Sequence, residues 1–126
     1  MAIETTRDQV RRLQALPADQ PVVMVNLLKF RPDGGAESYA RYAAAVEPHL
    51  RRVGATVVYG GTERAMIIGE ADEPEWDVIL LVQYPTPGAF LEMVTDPGYS
   101  EVHEHRVHAL ERAELIATTA WNPAGP

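Results

Sequence analysis

Residues 21–30 read PVVMVNLLKF, an almost unbroken apolar run that is rich in β-branched side chains. A run of this length, between Pro21 and the turn residues of 31–35, predicts a strand, because a buried helix is normally longer. Apolar residues occupy both alternating sets of positions, so both faces of the strand are expected to be buried. Asn26 is the exception. Its amide must find hydrogen-bond partners, because an unpaired buried amide costs about 1–3 kcal/mol.

Helical and strand patterns alternate on both sides of this run. A capping box of Thr6 and Gln9 predicts a short helix that ends at Pro17. After the run, periodicity and turn residues predict helices over 36–53, 88–94 and 99–113, and strands over 55–59, 77–84 and 115–121. This order is the split βαβ pattern of the ferredoxin-like fold. It predicts an α+β protein in which one face of a four-stranded antiparallel sheet carries the helices.

The first and third strands are central in this fold, and here both are apolar on both faces. An antiparallel sheet with one face in water should instead alternate apolar and polar residues. The chain has no second layer of helices to cover the other face. A second copy of the same sheet is the simplest cover, so we expect a face-to-face homodimer with two-fold symmetry, a dimeric α/β barrel.

Length, charge and composition narrow the class of protein. The 126 residues predict one domain over 21–121, with a helical extension over 1–20 and a tail over 122–126. The absence of cysteine excludes disulfides, thiolate nucleophiles and cysteine-bound metals. A net charge of −7 with scattered basic residues argues against nucleic acid as a partner. Without a signal core or a bilayer-length apolar run, we expect a cytoplasmic protein with no membrane partner.

From about Val22 to Trp121, the chain resembles the domain-of-unknown-function family thirteen-thirty (DUF1330). The resemblance implies the fold of the dimeric α/β barrels, a group that includes antibiotic-biosynthesis monooxygenases, polyketide cyclases, muconolactone isomerases and haem-dependent peroxidases. The family itself assigns no reaction, so the chemistry stays open. The motifs that carry the resemblance are residues 21–30, Tyr39 and Tyr42, Tyr59-Gly60-Gly61, Trp76-Asp77, Tyr84-Pro85, residues 90–94, Asp96-Pro97-Gly98-Tyr99 and His105-Arg106.

Asn26 is the first candidate site residue. Its parity places it with Met24 and Leu28 on one face of the sheet. If that face looks toward the helices, the amide projects into the space where barrel relatives hold substrates. The alternative is a core amide whose hydrogen bonds are purely structural.

His103 and Arg106 lie in the apolar stripe of the last long helix, which should turn both toward the sheet. An imidazole beside a fixed cation is suited to act as a general base while the guanidinium holds an anionic or enolate oxygen. In the alternative, Arg106 pairs with an acidic residue at the helix edge and His103 forms a structural bridge.

A group of aromatic side chains is suited to line a pocket for a planar ligand, although aromatic residues at core spacing are more often simply core. No metal site is expected, because His105 and His108 lie on the polar face of their helix and do not match a zinc spacing. No cofactor is expected either. The predicted substrate-binding residues are Tyr39, Tyr59, Trp76, Tyr84 and Tyr99.

These residues predict a small-molecule-binding protein. One hypothesis is a cofactor-independent isomerase, cyclase or monooxygenase that acts on a small carbonyl or aromatic compound, with His103, Arg106 and Asn26 as catalytic residues. The alternative is a ligand-binding or regulatory dimer with the same pocket and no proton chemistry. A structural assembly module would instead have a filled interior. The three hypotheses differ in whether a cavity exists and which side chains reach it.

Overall fold

A computed structural model describes residues 4–124 of the chain. The first three residues of the predicted N-terminal extension and the last two of the predicted tail lie outside the described residues. The described part forms, in order, α1 (Arg7–Gln14), β1 (Val22–Phe30), α2 (Gly35–Arg52), β2 (Thr56–Gly61), β3 (Val78–Tyr84), α3 (Pro87–Thr95), α4 (Tyr99–Ala109) and β4 (Leu110–Thr118). Within this range, no helix has both the length and the apolar character needed to cross a membrane.

The four strands form one antiparallel sheet in the order β2-β3-β1-β4. β1 and β3 are central, as the sequence predicts. Met24 in the middle of β1 lies opposite Val82 of β3 and Ala117 of β4. This confirms the predicted ferredoxin-like α+β fold, with α1 as an extra N-terminal helix.

The two faces of β1 differ in burial. Val22, Met24, Asn26 and Leu28 are all buried on the side that packs against the helices. The alternate residues of β1 are only half-buried. On that outer face, the neighbouring strands expose Tyr59, Ile79 and Ile116. Within a single chain, the sheet therefore presents an apolar outer face to solvent.

The helical prediction over 99–113 is too long, because α4 ends at Ala109 and β4 begins at once. Leu110 is fully buried against Leu28, and residues 112–118 pair with β1. The Arg31 side chain and backbone also donate hydrogen bonds to the carbonyls of Leu110 and Ala109. Pairing with the central strand thus overrides the high helix propensity of the segment Ala-Leu-Glu-Arg-Ala.

The N-terminal helix α1 is held by a capping box at its start and by a buried side chain near its end. The predicted capping box is present, since the Thr6 and Gln9 side chains each accept a hydrogen bond from the backbone N–H of the other residue. Farther along α1, Leu13 is buried in the main hydrophobic core beside Met24. α1 therefore packs on the ferredoxin-like unit, close to its β4 edge.

Candidate functional site

A cleft of about 640 Å³ lies between α1 and β4, and we call it the α1–β4 cleft. β4 is an edge strand, and the helices cover its helix-facing residues only in part. Leu115, which lies opposite the buried Asn26, is accordingly 43% exposed. The buried residues of the cleft lining are Leu13, Met24 and Arg106. We call Met24, Arg106 and the half-buried Phe90 the bottom of the cleft. Its walls include Gln9, Arg12 and Leu13 on one side and Ala113, Leu115 and Ala117 on the other.

Arg106 is the feature that distinguishes this cleft. It belongs to the buried stripe of α4 with Val102 and Ala109, and it is only 7% exposed. Among residues 4–124, no carboxylate lies within ion-pair distance of its guanidinium. A buried cation without a counter-ion costs several kcal/mol, although guanidinium is the most weakly hydrated of the basic groups. The cleft therefore presents an unneutralised positive charge at its bottom.

Four buried tyrosines lie around this charge: Tyr39, Tyr42, Tyr84 and Tyr99. Burial raises the pKa of each phenol, and the opposing effect of the Arg106 charge is smaller. The hydroxyls of Tyr42 and Tyr99 share a hydrogen bond of 2.9 Å. Because all four phenols stay protonated near neutral pH, none of them supplies a counter-ion for Arg106.

The Tyr39 hydroxyl is the phenol that interacts directly with Arg106. The guanidinium lowers the pKa of Tyr39 through its charge and through hydrogen bonding, against the larger rise caused by burial. The Tyr39 ring packs against Phe30 and Tyr42, with ring centroids 5.5 and 5.3 Å away. Packing on both neighbours fixes the ring, so the site combines a fixed hydroxyl with a fixed cation.

His103 lies one turn before Arg106, at the edge of α4, and contacts the N-terminal segment. Its Nε2 is 2.7 Å from Oε1 of Glu4, which itself lines the α1–β4 cleft. The ring also packs on Tyr99, 5.7 Å between centroids. In the described part of the chain, the buried Nδ1 has no hydrogen-bond partner. If Nε2 carries the proton shared with Glu4, Nδ1 is the basic atom. His103 itself is not part of the cleft lining.

Asn26 faces the helices but does not line the cleft. Its side-chain nitrogen donates to the backbone carbonyls of Met24 and Leu80, at 3.3 and 3.4 Å. These bonds provide the partners that a buried amide requires. Asn26 therefore supports the strand that carries Met24 to the bottom of the cleft.

The structure separates the predicted aromatic group into two sets. Tyr39 and Tyr99 lie close to Arg106, and Tyr84 packs edge-on against Phe90 at 5.3 Å. Tyr59 is instead 60% exposed on the outer face of the sheet. Trp76 lies before β3, where the Arg112 guanidinium sits 5.4 Å from its ring. None of the five predicted aromatic residues is part of the cleft lining, in which the one aromatic residue is Phe90.

Sequence reasoning missed Glu4, Tyr42, Phe90 and the cleft wall formed by α1. Tyr42 repeats three residues after Tyr39 on the same helical stripe, so its spacing was a usable signal. Glu4 had no such signal, because its contact with His103 joins residues 99 positions apart.

A second, more open depression of about 410 Å³ is lined by α1 and its cap alone and contains no buried charge. Between Glu4 and Ala124, no cluster of three or more potential metal ligands occurs.

Comparison with known proteins identifies the family. The model of a domain of unknown function, DUF1330, matches residues 34–120. The chain belongs to the DUF1330 family. A protein of unknown function from Rhodopseudomonas palustris is 34% identical, and its crystal structure matches with a TM-score of 0.86 over 96% of this chain and 98% of that chain. The predicted family is thus confirmed, although the matched range leaves out residues 22–33 of the predicted resemblance. The structural likeness to the Rhodopseudomonas protein covers nearly the whole chain.

Two more distant structures share the ferredoxin-like architecture. Hydroxynitrile lyase from Passiflora edulis is 13% identical, with a TM-score of 0.63 over 86% of this chain and 99% of that chain. A dimeric protein of unknown function from Bacteroides fragilis is 12% identical, with a TM-score of 0.55 over 82% of this chain and 100% of that chain. At these identities, the likeness shows the fold alone. A search of curated proteins found no match.

Proposed function

We propose that this DUF1330 protein binds a small carbonyl or aromatic compound in the α1–β4 cleft and acts on it as a cofactor-independent enzyme. The observation that carries the proposal is Arg106, a cation buried at the bottom of an accessible cleft, with no carboxylate partner among residues 4–124. A fixed positive charge in a poorly hydrated site stabilises negative charge that develops on a substrate oxygen. An isomerase, a cyclase or a monooxygenase that passes through an enolate requires such a group.

The proposed roles follow the geometry. Arg106 binds the carbonyl oxygen, and His103, one turn away on α4, removes a proton from the adjacent carbon. This role requires the imidazole to turn toward the cleft, because its Nδ1 is buried and His103 lies outside the lining. The electron pair of the broken carbon–hydrogen bond forms a carbon–carbon double bond while the π pair of the carbonyl moves to its oxygen, and in an isomerisation the proton returns at a conjugated carbon. Glu4 holds the imidazole through its contact with Nε2. Asn26 acts indirectly, by fixing β1 beneath the site.

A homodimer is part of the proposal. The apolar outer face of the sheet, with Ile79 37% and Ile116 46% exposed, is suited to pack against a second copy. The dimeric protein from Bacteroides fragilis, which shares the fold, supports this arrangement. The buried residues of the α1–β4 cleft lie on the helix side of the sheet, so each protomer would hold its own site, and the β4 edge at Ile116 borders both the cleft and the proposed interface.

One observation favours a second candidate function, a non-catalytic ligand-binding dimer. His103 lies outside the cleft lining, and Glu4 already occupies its Nε2. In this case Arg106 holds a ligand, and no group accepts a proton from it.

A deuterium-exchange experiment tests both functions. Small ketones, keto acids and phenols are first screened for binding by ligand-observed NMR, and each binder is incubated with the protein in heavy water. The enzyme proposal predicts exchange at the carbon next to the carbonyl, with loss of exchange but retention of binding in His103→Gln. The matched control is His108→Gln, which changes an exposed histidine on the same helix.

Three outcomes separate the hypotheses. Exchange that depends on His103 supports the enzyme. Binding that depends on Arg106, without exchange of any bound ligand, supports the binding protein and refutes the enzyme. If no compound of the panel binds, or if Arg106→Met has the same ligand affinity as the wild type, the proposed site is wrong.

A further inference from the structure

We propose that the ligand of the α1–β4 cleft is a small monocarboxylate with an apolar body, whose carboxylate binds Arg106. This inference rests on the proposed function, in that it uses the same cleft, and it names the chemical class of the ligand. It also applies if the protein binds this ligand without transforming it.

The charge of Arg106 determines the polar end of the ligand. The guanidinium is 7% exposed, lines the cleft and has no acidic partner in the part of the chain that the structure describes. A planar guanidinium matches the two oxygens of a carboxylate, and such charge-assisted bonds are the strongest of the common hydrogen bonds. A bound carboxylate would therefore supply the counter-ion that the fold leaves out.

The walls of the cleft determine the rest of the ligand. Met24 and Phe90 at the bottom, together with Leu13 and Leu115 on the two sides, provide mostly apolar contacts. An aliphatic or aromatic body packs against such walls and gains about 25 cal/mol for each Å² of apolar surface that it buries. Polar groups occur toward the opening, where Gln9, Glu4 and Glu114 are exposed.

The charges of the cleft argue against a ligand with two negative charges at its buried end. At the opening, the exposed Arg12 faces two exposed carboxylates, Glu4 and Glu114, so the net charge there is negative. Arg106 is the one buried cation among the lining residues and neutralises one charge, so a second buried charge would stay unpaired. A phosphate monoester, which carries nearly two charges at neutral pH, therefore fits less well than a carboxylate.

Isothermal titration calorimetry with three probes tests the inference. Phenylacetate and phenylacetamide have nearly the same shape and differ in charge, and phenyl phosphate adds the second charge. We expect phenylacetate to bind at least about tenfold more tightly than the amide and more tightly than the phosphate, as charge-assisted hydrogen bonds predict. The Arg106→Met variant should lose the preference for the acid. Arg41→Met, at an exposed arginine of α2, should keep it.

A second variant keeps the test independent of the stability of Arg106→Met. Leu115→Trp fills the partly exposed wall of the cleft and leaves every charge unchanged. It should weaken phenylacetate binding at least about tenfold, because the body of the ligand loses its space.

The outcomes distinguish this inference from the proposed function. If phenylacetamide binds in the cleft as tightly as phenylacetate, the proposed preference for a carboxylate is wrong, whereas the proposed binding site is supported. If phenyl phosphate binds most tightly, the ligand class is a phosphate and the inference is overturned. If phenylacetate binds equally well to the wild type and to Leu115→Trp, the cleft is not its site. Absence of phenylacetate binding at millimolar concentration also overturns the inference, whereas the wider panel of ketones and phenols tests the proposed function separately.

Discussion

Replacing Arg106 by methionine should stabilise the fold while it removes ligand binding. Methionine fills a similar volume and has no charge to desolvate. A hydrogen bond from a charged donor contributes about 1.5–3 kcal/mol, which the variant loses at Tyr39. Burial of a guanidinium without a counter-ion costs several kcal/mol, which the variant avoids. We therefore expect the free energy of unfolding to rise by about 1–3 kcal/mol.

Urea denaturation followed by circular dichroism measures this change. Wild type and Arg106→Met should have the same slope m, with a higher midpoint in the variant. The melting temperature should rise by roughly 4 °C for each kcal/mol in a chain of this size. Both proteins are compared at one protomer concentration, since dimerisation would add to the apparent stability. The exposed Arg41→Met is the control and should change stability by less than about 0.5 kcal/mol.

Destabilisation of Arg106→Met by more than about 1 kcal/mol would refute this reasoning. It would mean that Arg106 contributes to the folded state as a structural residue, as in the alternative interpretation of the sequence. A stabilised variant that no longer binds ligand is instead typical of a functional group retained at the expense of stability.

Three further predictions concern pH, the N-terminal segment and the dimer. Burial raises the pKa values of Tyr39, Tyr42, Tyr84 and Tyr99. The contribution of these protonated phenols to stability is therefore present below pH about 10 and is lost as the pH rises further. In an alkaline titration, phenolate absorbance should appear together with unfolding. Glu4→Gln should speed hydrogen exchange in α1 and lower global stability by less than about 1 kcal/mol. Ile79→Glu should yield a monomer by light scattering, because it places a charge on the outer face.

Each of these predictions has a matched control and a contrary result. Gradual phenolate formation by all four residues in the folded protein would contradict their burial. Glu37→Gln, at an exposed glutamate of α2, should leave exchange in α1 unchanged, and equal effects of the two variants would rule out a role of the Glu4–His103 contact. Ile68→Glu changes a loop isoleucine that is almost fully exposed and should stay dimeric. A dimer of Ile79→Glu would exclude the outer face as the interface.

Most of the correct sequence predictions came from strand parity, that is, from which residues of a strand point to the same face of the sheet. Apolar residues at alternate positions of β1 placed Asn26 on the same side as Met24 and Leu28, and the structure has all three buried. The helical stripe of α4 likewise placed Arg106 toward the sheet. These are local periodicities, which a single sequence contains in full.

The remaining features depend on contacts between distant parts of the chain. β4 begins earlier than predicted because Leu110 packs on Leu28. Helix propensity is a property of the local sequence and does not include this contact. The cleft depends on where α1 lies against β4, and this is set by the burial of Leu13 in a core formed by other elements. Tyr59 and Tyr39 are both aromatic, yet only the position of their elements places one on the outer face and the other beside Arg106.

The crystal structure of the complex with phenylacetate tests the central claim most directly. We predict electron density for the ligand in the α1–β4 cleft, with its carboxylate about 2.7–2.9 Å from the Arg106 guanidinium and its ring against Met24 and Phe90. A ligand bound elsewhere, or one in the cleft whose carboxylate points to solvent while Arg106 stays without an anion, would contradict the account.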